Sequence, residues 1–340
     1  MGTEDLILTC VASAVASAVL TACVRNYAER RLIDIPNERS SHRVATPRGG
    51  GAAFITAFSG SSAVVAAMFA GWHTWFLLVP GVIFVAIVGF LDDHISLGAG
   101  TRLAVHFVAA GGVVVFSCVE EHTIFGLMLA RPVGTVCAIV VIVWIVNLYN
   151  FMDGINGLAA VEAIFVSGAG ALFEWYAGNT IGAIFLALLG CAVAGFLPWN
   201  FPKAKIFMGD VGSGALGFIF GCFLVLAWAR NESHFFAWSI LLAAFVGDAS
   251  WTLLVRLAQR APILEAHRTH AYQHAAARWG HPPVTLFVSV INCLLLLPLS
   301  FIAFFLPEVA RWCTFIAYLM VLSLAIWLRA GAREEAVRTS

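Results

Sequence analysis

Charge is scarce in this chain. Lys, Arg, Asp and Glu make up 11% of its 340 residues, against roughly 25% in a soluble domain. That scarcity excludes an ordinary water-soluble fold, although the length alone would allow two soluble domains. The few charges cancel, 19 basic against 19 acidic, so no basic field points to nucleic acid. Paired cysteines are also absent. Cys10, Cys23, Cys118, Cys137, Cys191, Cys222, Cys293 and Cys313 stand singly, most of them inside apolar runs. This excludes a CxxC metal site and a disulfide framework and leaves them as small apolar residues. No internal repeat or low-complexity tract marks a boundary, so residues 1–340 are expected to form a single membrane-embedded domain.

Long apolar runs are what the chain has in abundance, with 61% hydrophobic residues. A bilayer-crossing helix needs about 20 of them in succession. That criterion predicts spans near 5–25, 51–70, 75–91, 103–119, 129–147, 158–176, 180–198, 212–229, 235–256, 284–306 and 310–328. The expected fold is therefore an all-helical polytopic membrane protein of about eleven transmembrane helices. Met1-Gly2-Thr3-Glu4-Asp5 is no basic n-region, so the first span is expected to be retained rather than cleaved. An odd number of spans puts the termini on opposite sides, and the positive-inside rule chooses between them. With the N-terminus periplasmic, only Arg131, Arg230 and Arg311 fall outside. Every other Lys and Arg sits in an inside segment, from Arg25 and Arg30 through Arg102, Lys203 and Arg256 to Arg338. The C-terminus is expected to be cytoplasmic.

The chemically able residues gather on that same predicted side, although the topology rests on Lys and Arg alone. Asp92 and Asp93 end the third span. Two adjacent carboxylates repel, and a divalent cation or a proton relieves the repulsion. Asn147, Asn150, Asp153 and Asn156 lie in the turn after the fifth span, closed by Gly157. Asn-Gly and Asp-Gly steps make turns, but four polar side chains in ten residues exceed what a turn needs. Asp210 precedes the eighth span with Lys203 and Lys205 nearby. A helix N-terminus beside cations favours phosphate, and a carboxylate plus a phosphate is a common way to hold magnesium. Gly212 to Gly217 spells GxGxxG, but with no surrounding βαβ unit it is better read as close helix packing.

In the last inside loop His267, His270 and His274 follow i, i+3, i+7 spacing, without the signature of a metalloenzyme. With Arg268 they are better placed as donors to phosphate oxygens. Asp248, inside the ninth span, is expected to be functional or paired. Glu162, near the inside end of the sixth, is expected to snorkel to the interface.

Five stretches together resemble the polyprenyl-phosphate N-acetylhexosamine-1-phosphate transferase family, glycosyltransferase family 4. They are Leu32-Ile33-Asp34-Ile35-Pro36-Asn37-Glu38-Arg39-Ser40-Ser41-His42, Thr46-Pro47-Arg48-Gly49-Gly50-Gly51, Gly89-Phe90-Leu91-Asp92-Asp93, Asn150-Phe151-Met152-Asp153-Gly154-Ile155-Asn156-Gly157 and Met208-Gly209-Asp210-Val211-Gly212-Ser213. The resemblance implies ten or eleven helices around a cytoplasmic cleft, in the bacterial inner membrane. It implies magnesium, with manganese as an alternative, on Asp210 and with Asp93 as a further ligand. Asp92, Asp93 and Asp210 would be catalytic, and Arg48 with the paired acids would handle a lipid phosphate. The nucleotide and sugar would fall to Asn147, Asn150, Asp153, Asn156, Gly157 and Lys205, and the diphosphate to His267, Arg268 and His270.

Two departures narrow the branch. The family turn commonly reads Asp-Gly-x-Asp-Gly, and here the second acid is Asn156. The last loop reads His267-Arg268-Thr269-His270 rather than three consecutive histidines, which argues against the peptidoglycan member and for the branch that starts O-antigen or other surface polysaccharide. The implied partners are undecaprenyl phosphate, a UDP-N-acetylated sugar and membrane lipid; a homodimer is allowed. The rival reading from another class is a multi-pass transporter with a cytoplasm-facing polar site. Transporters commonly bind at mid-membrane between inverted repeats, whereas these polar groups gather at one interface.

Overall fold

A computed structural model describes residues 3–36, 41, 44–69, 71–117, 122–124, 127–262 and 267–332. Asn37, Arg39 and His42 of the first matching stretch lie outside the described residues. So do Arg43, Arg333 and Arg338 of the charge bias, and Cys118.

In lipid each backbone N–H and C=O must be paired within the chain, and a helix does this locally. The apolar runs accordingly become α1 (Thr3–Arg31), α2 (Gly51–Met68), α3 (Trp72–Ile95), α4 (Ala99–Phe116), α5 (Arg131–Phe151), α6 (Leu158–Tyr176), α7 (Thr180–Asn200) and α8 (Asp210–Arg230). The remainder are α9 (Glu232–Leu241), α10 (Ala243–Ala258), α11 (Ala271–Trp279), α12 (His281–Ile291), α13 (Leu297–Phe305) and α14 (Ala310–Trp327). A π turn at Asn292–Leu296 joins α12 to α13 without ending the helical run. Among the described residues, ten helical stretches are long and apolar enough to cross a membrane, or eleven if α9 and α10 are counted as one span.

Helix α8 is the axis of the bundle and is buried along nearly its whole length. Its first half carries Gly212, Ser213, Gly214, Ala215 and Gly217, and such small side chains let neighbouring backbones approach closely. A Cβ on Gly51 of α2 would strike the Gly212 backbone, and one on Gly89 of α3 would strike the Asp210 carbonyl. The GxGxxG stretch is thus a packing surface. Two-residue strands β1 (Ile33–Asp34) and β2 (Thr46–Pro47) pair antiparallel. The chain after β2 is then laced to the approach of α8: Phe207 N–H donates to Pro47, Gly50 N–H to Phe207 and Gly51 N–H to Met208. This lacing sets Arg48 beside the start of α8.

Four expectations change. The ninth span is not one straight helix, because α9 and α10 meet at 78°. α1 runs past position 25 to Arg31, where Arg25 and Glu29 form an i,i+4 ion pair at 2.7 Å. The last inside loop contains α11. Finally, Glu162 does not snorkel: it is 1% exposed and accepts a hydrogen bond from Asn292 Nδ2 at 2.5 Å. A carboxyl fixed this way between α6 and the π turn has no route to the interface.

Candidate active site

At the end of α3 the neighbouring acids part company. Asp92 Oδ1 accepts from Leu97 N–H at 2.5 Å, and its Oδ2 accepts from Arg102 Nη1 at 2.6 Å. The same Nη1 reaches Asp210 Oδ2 at 2.9 Å. One guanidinium on α4 therefore ties the end of α3 to the start of α8. Asp93 turns the other way and is 3% exposed. Its Oδ1 lies 3.6 Å from Arg48 Nε, while Arg48 Nη2 donates to the Asp93 carbonyl at 2.5 Å. The N–H groups of Asp210 and Val211 face the Asp93 carboxylate at 3.4 and 3.5 Å, a long reach that places it against the positive end of α8. Relief of the carboxylate repulsion thus comes from two separate arginines.

The turn after α5 supplies the next layer. Asn150 Nδ2 donates to Ser213 Oγ at 2.9 Å, and Asn147 Nδ2 to the Val143 carbonyl at 2.7 Å. Both residues line a cleft of about 140 Å³ that also includes Gly89, Arg102, His106 and Asp210. Asp153 accepts from Gly209 N–H; burial first, then the carboxylates of Asp210 and Asp93, push its pKa well above the ordinary value. Asn156 and Gly157 are tied into the scaffold. Asn156 Nδ2 donates to the Pro202 carbonyl at 3.2 Å, and its own carbonyl accepts from Thr285 at 2.9 Å. Gly157, at φ +77°, donates its N–H to Asn200 Oδ1 at 2.8 Å, and a Cβ there would run into Phe201.

Asp248 positions the histidine loop. Its two oxygens accept the first N–H groups of α11, Ala271 at 2.8 Å and Tyr272 at 3.0 Å. Two of the orphan donors at that helix N-terminus are thereby satisfied. Asp248 therefore belongs to the loop end of the bundle, not to mid-membrane depth. His270 and His267 stack at 5.0 Å between ring centroids, and both flank Phe151, at 6.0 and 5.9 Å. Phe151 lines the cleft, and the Tyr272 hydroxyl donates to its carbonyl at 2.8 Å. His274 points elsewhere, to the Leu328 carbonyl at 2.9 Å. The i, i+3, i+7 spacing produces no shared face, because α11 begins only at Ala271. Arg268 is half-buried in the same loop.

The exposed Lys205 holds its ammonium 5.5 Å over the Trp199 ring, and it does not line the cleft. The structure thus gathers Arg48, Asp92, Asp93, Asn147, Asn150, Asp153 and Asp210 at one end of the bundle, with His267 and His270 stacked on Phe151 alongside. Sequence reasoning missed Arg102 as a site residue. Its signal was present, since it is the only Lys or Arg between the third and fourth spans.

These acids, with one arginine bridging three helices, fall inside a segment with known counterparts. Residues 75–228 match the model of glycosyl transferase family 4. The matched segment holds Asp92, Asp93, Arg102, the Asn147–Gly157 turn and Asp210; Arg48 precedes it and the histidine loop follows it. The chain is 31% identical to decaprenyl-phosphate N-acetylglucosaminephosphotransferase of Mycolicibacterium smegmatis over 64% of its own length and 59% of that protein. It is 31% identical to phospho-N-acetylmuramoyl-pentapeptide-transferase of Streptococcus gordonii over 60% of its length and 64% of that protein. A probable undecaprenyl-phosphate N-acetylglucosaminyl 1-phosphate transferase of Bacillus subtilis is 24% identical, over 94% of this chain and 90% of that one. The chain spans about three fifths of the length of the first curated relatives it matches.

Proposed function

We propose that this protein transfers an N-acetylated sugar 1-phosphate from a UDP-sugar to undecaprenyl phosphate, releasing UMP, as the first committed step of O-antigen or other surface polysaccharide synthesis. The observation that carries this reading is the convergence of Asp92, Asp93, Asp153 and Asp210 with Arg48 and Arg102 at one end of an apolar bundle. The names of the relatives support it, and the positive-inside bias favours a cytoplasmic position for that end. Those relatives include both N-acetylglucosamine-phosphate and muramoyl-pentapeptide transferases. The spacing of His267 and His270 favours the first kind.

Magnesium fits the residues present. Four carboxyl groups meet two guanidiniums, and even with Asp153 protonated the acids outnumber the guanidiniums. Asp210 keeps its side chain 31% exposed beside the cleft. Among the described residues no three His, Cys, Asp or Glu side chains form a ready cage. That suits magnesium, which commonly takes one or two carboxylates and completes its shell with water and substrate phosphate. Asp210 would hold it, with Asp153 or Asp93 behind. When bound it would neutralise charge on the transferring phosphoryl group.

The protein's own groups would do the rest. Arg102 would move from its carboxylates to phosphate oxygens, and His267, Arg268 and His270 would steady the diphosphate. Asn147, Asn150 and Asp153 would orient the nucleotide and sugar. A lipid-phosphate oxygen forms a bond to the phosphorus bearing the sugar, and the bond from that phosphorus to the bridging oxygen breaks. UMP leaves with the bridging oxygen. Asp92 or Asp93 would accept any proton left on the lipid phosphate, a small demand because a phosphate monoester's second pKa is about 6.

The test mixes purified protein, magnesium, undecaprenyl phosphate and a panel of UDP-N-acetylhexosamines and identifies the released nucleotide. UMP release that needs both lipid and metal is expected, and Asp210→Asn should abolish it while leaving the protein folded. Release of UDP would overturn the bond assignment. No release from folded protein across the panel would point first to a donor outside it, such as a UDP-linked N-acetylated deoxysugar, and no release from that donor either would favour a transporter.

A further inference from the structure

His274 has no part in the reaction above, yet it is buried and held in one orientation. A carbonyl only accepts, so the 2.9 Å contact with Leu328 puts the His274 proton on Nδ1. Leu328 directly follows α14, and there the chain turns back onto the histidine loop. α14 closes with two hydrogen bonds, from Arg329 N–H to Ile326 and from Ala330 N–H to Ala325, with Arg329 left-handed at φ +58°. Paired bonds around a left-handed residue are a common helix ending. Two residues on, Gly331 is left-handed as well, at φ +84°, and its N–H donates to the Thr269 carbonyl at 2.7 Å. A Cβ on Gly331 would lie 2.6 Å from Val255 Cβ of α10, so the approach requires glycine. Beside these bonds the Trp279 and Trp327 rings stack, with centroids 6.1 Å apart.

Thr269 stands between Arg268 and His270, two of the groups assigned to the diphosphate. The C=O of Thr269 and the N–H of His270 belong to one planar peptide unit. Gly331 holds that unit at its carbonyl, and Gln273 Oε1 accepts from its N–H at 3.2 Å. With the plane fixed at both ends, the direction in which His270 leaves the backbone towards Phe151 is fixed too. We propose that the turn at residues 328–331 is a clasp that orients the histidine loop, with Gly331 and His274 as positioning residues for the donor diphosphate. Neither touches a reacting group; both act through Thr269, His270 and α11. The role in diphosphate binding rests on the transferase reading, whereas the clasp itself rests on contacts within this chain. Its two halves lie outside the matched segment 75–228.

The detergent-purified full-length protein offers two readouts: hydrogen exchange, which needs no turnover, and steady-state kinetics with UDP-sugar and undecaprenyl phosphate varied separately. Gly331→Val forces a branched side chain against Val255, and His274→Leu removes the donor to Leu328. Each is expected to speed exchange over residues 267–276 and to lower kcat/KM for the UDP-sugar about tenfold, since misplacing a positioned group by about 1 Å can cost up to about 100-fold. The lipid KM should stay within about twofold, because Arg48 and the paired acids are held by bonds the clasp does not touch. His274→Asn, which keeps an N–H near the Nδ1 position, should recover most of the loss. Should Gly331→Val fail to fold, His274→Leu and His274→Asn decide the matter. Unchanged loop exchange, faster exchange with an unaltered UDP-sugar kcat/KM, or equal rises in both KM values overturns the proposal. Loop-confined exchange without nucleotide release from any donor would keep the clasp and remove the transferase reading. UMP release indifferent to these variants would do the reverse.

Discussion

At the scale of single residues, Arg102 and Asp153 carry the electrostatics. Among the described residues, Arg102 is the one cation touching both Asp92 and Asp210. Arg102→Met would set the two carboxylates facing each other without a counter-charge. Nucleotide release should fall by about 100-fold or more, the scale of removing a preorganised charge from a phosphoryl-transfer site; a loss under threefold would show the arginine to be dispensable. Asp153 gives a pH signature. Its folded pKa is raised, by burial first and then by Asp210 and Asp93, so the folded protein favours the protonated form. The stability this contributes is present below the ordinary carboxylate value of roughly 4 and is lost as pH rises through the raised value. In chelator, the melting temperature should therefore decline with rising pH, and Asp153→Asn should flatten the decline. Magnesium binds the ionised form, so the rise in Tm that it confers should grow with pH. A magnesium effect independent of pH would place the ion away from Asp153. The acids were legible in the sequence because a carboxylate in an apolar chain is expensive and stands out. Arg102 passed as an ordinary inside charge, because nothing in its spacing shows what it faces.

Elements were legible where composition marks them and hidden where it does not. The long apolar runs gave away ten helical stretches to within a few residues at most ends. The 78° break between α9 and α10 falls within Ile240-Leu241-Leu242-Ala243-Ala244, which has no proline or glycine to announce it. α11 escaped notice because it is short and mostly small or polar, and its start depends on an acid from another helix. That dependence is testable. Asp248 accepts both opening N–H groups of α11 and lies 3.8 Å from His270 Nδ1. Asp248→Ala removes the cap, a change worth about 0.5–2 kcal/mol in comparable helices. Hydrogen exchange across residues 267–279 should accelerate, while exchange in α8 stays close to wild type. Nucleotide release should fall with it, and Asp248→Asn, which keeps one acceptor, should lie between the two. Uniform acceleration over the whole bundle would show that Asp248 acts on global stability rather than on the histidine loop.

For the whole molecule, orientation in the bilayer decides which soluble donors can reach the acids. The assembled acids sit where α3 and α5 end and α4 and α8 begin, the end at which the inside segments were expected from Lys and Arg alone. One of the three basic residues assigned to the opposite side is neutralised by its fold. Arg230 pairs with Glu174 through two contacts, at 2.8 and 2.7 Å, and Glu174 is 1% exposed. The charge asymmetry between the ends is therefore sharper than a residue count suggests. Orientation follows cytoplasmic Lys and Arg in short loops, so the end bearing the acids should face the cytoplasm. A green fluorescent protein fused after Ser340 should fluoresce, and alkaline phosphatase at the same point should be inactive. An insertion of the phosphatase at Asn231, between α8 and α9, should be active. The reversed pattern would put the acid cluster on the side where a cytoplasmic nucleotide sugar cannot reach it, and would overturn the proposed donor even with every distance in the site unchanged.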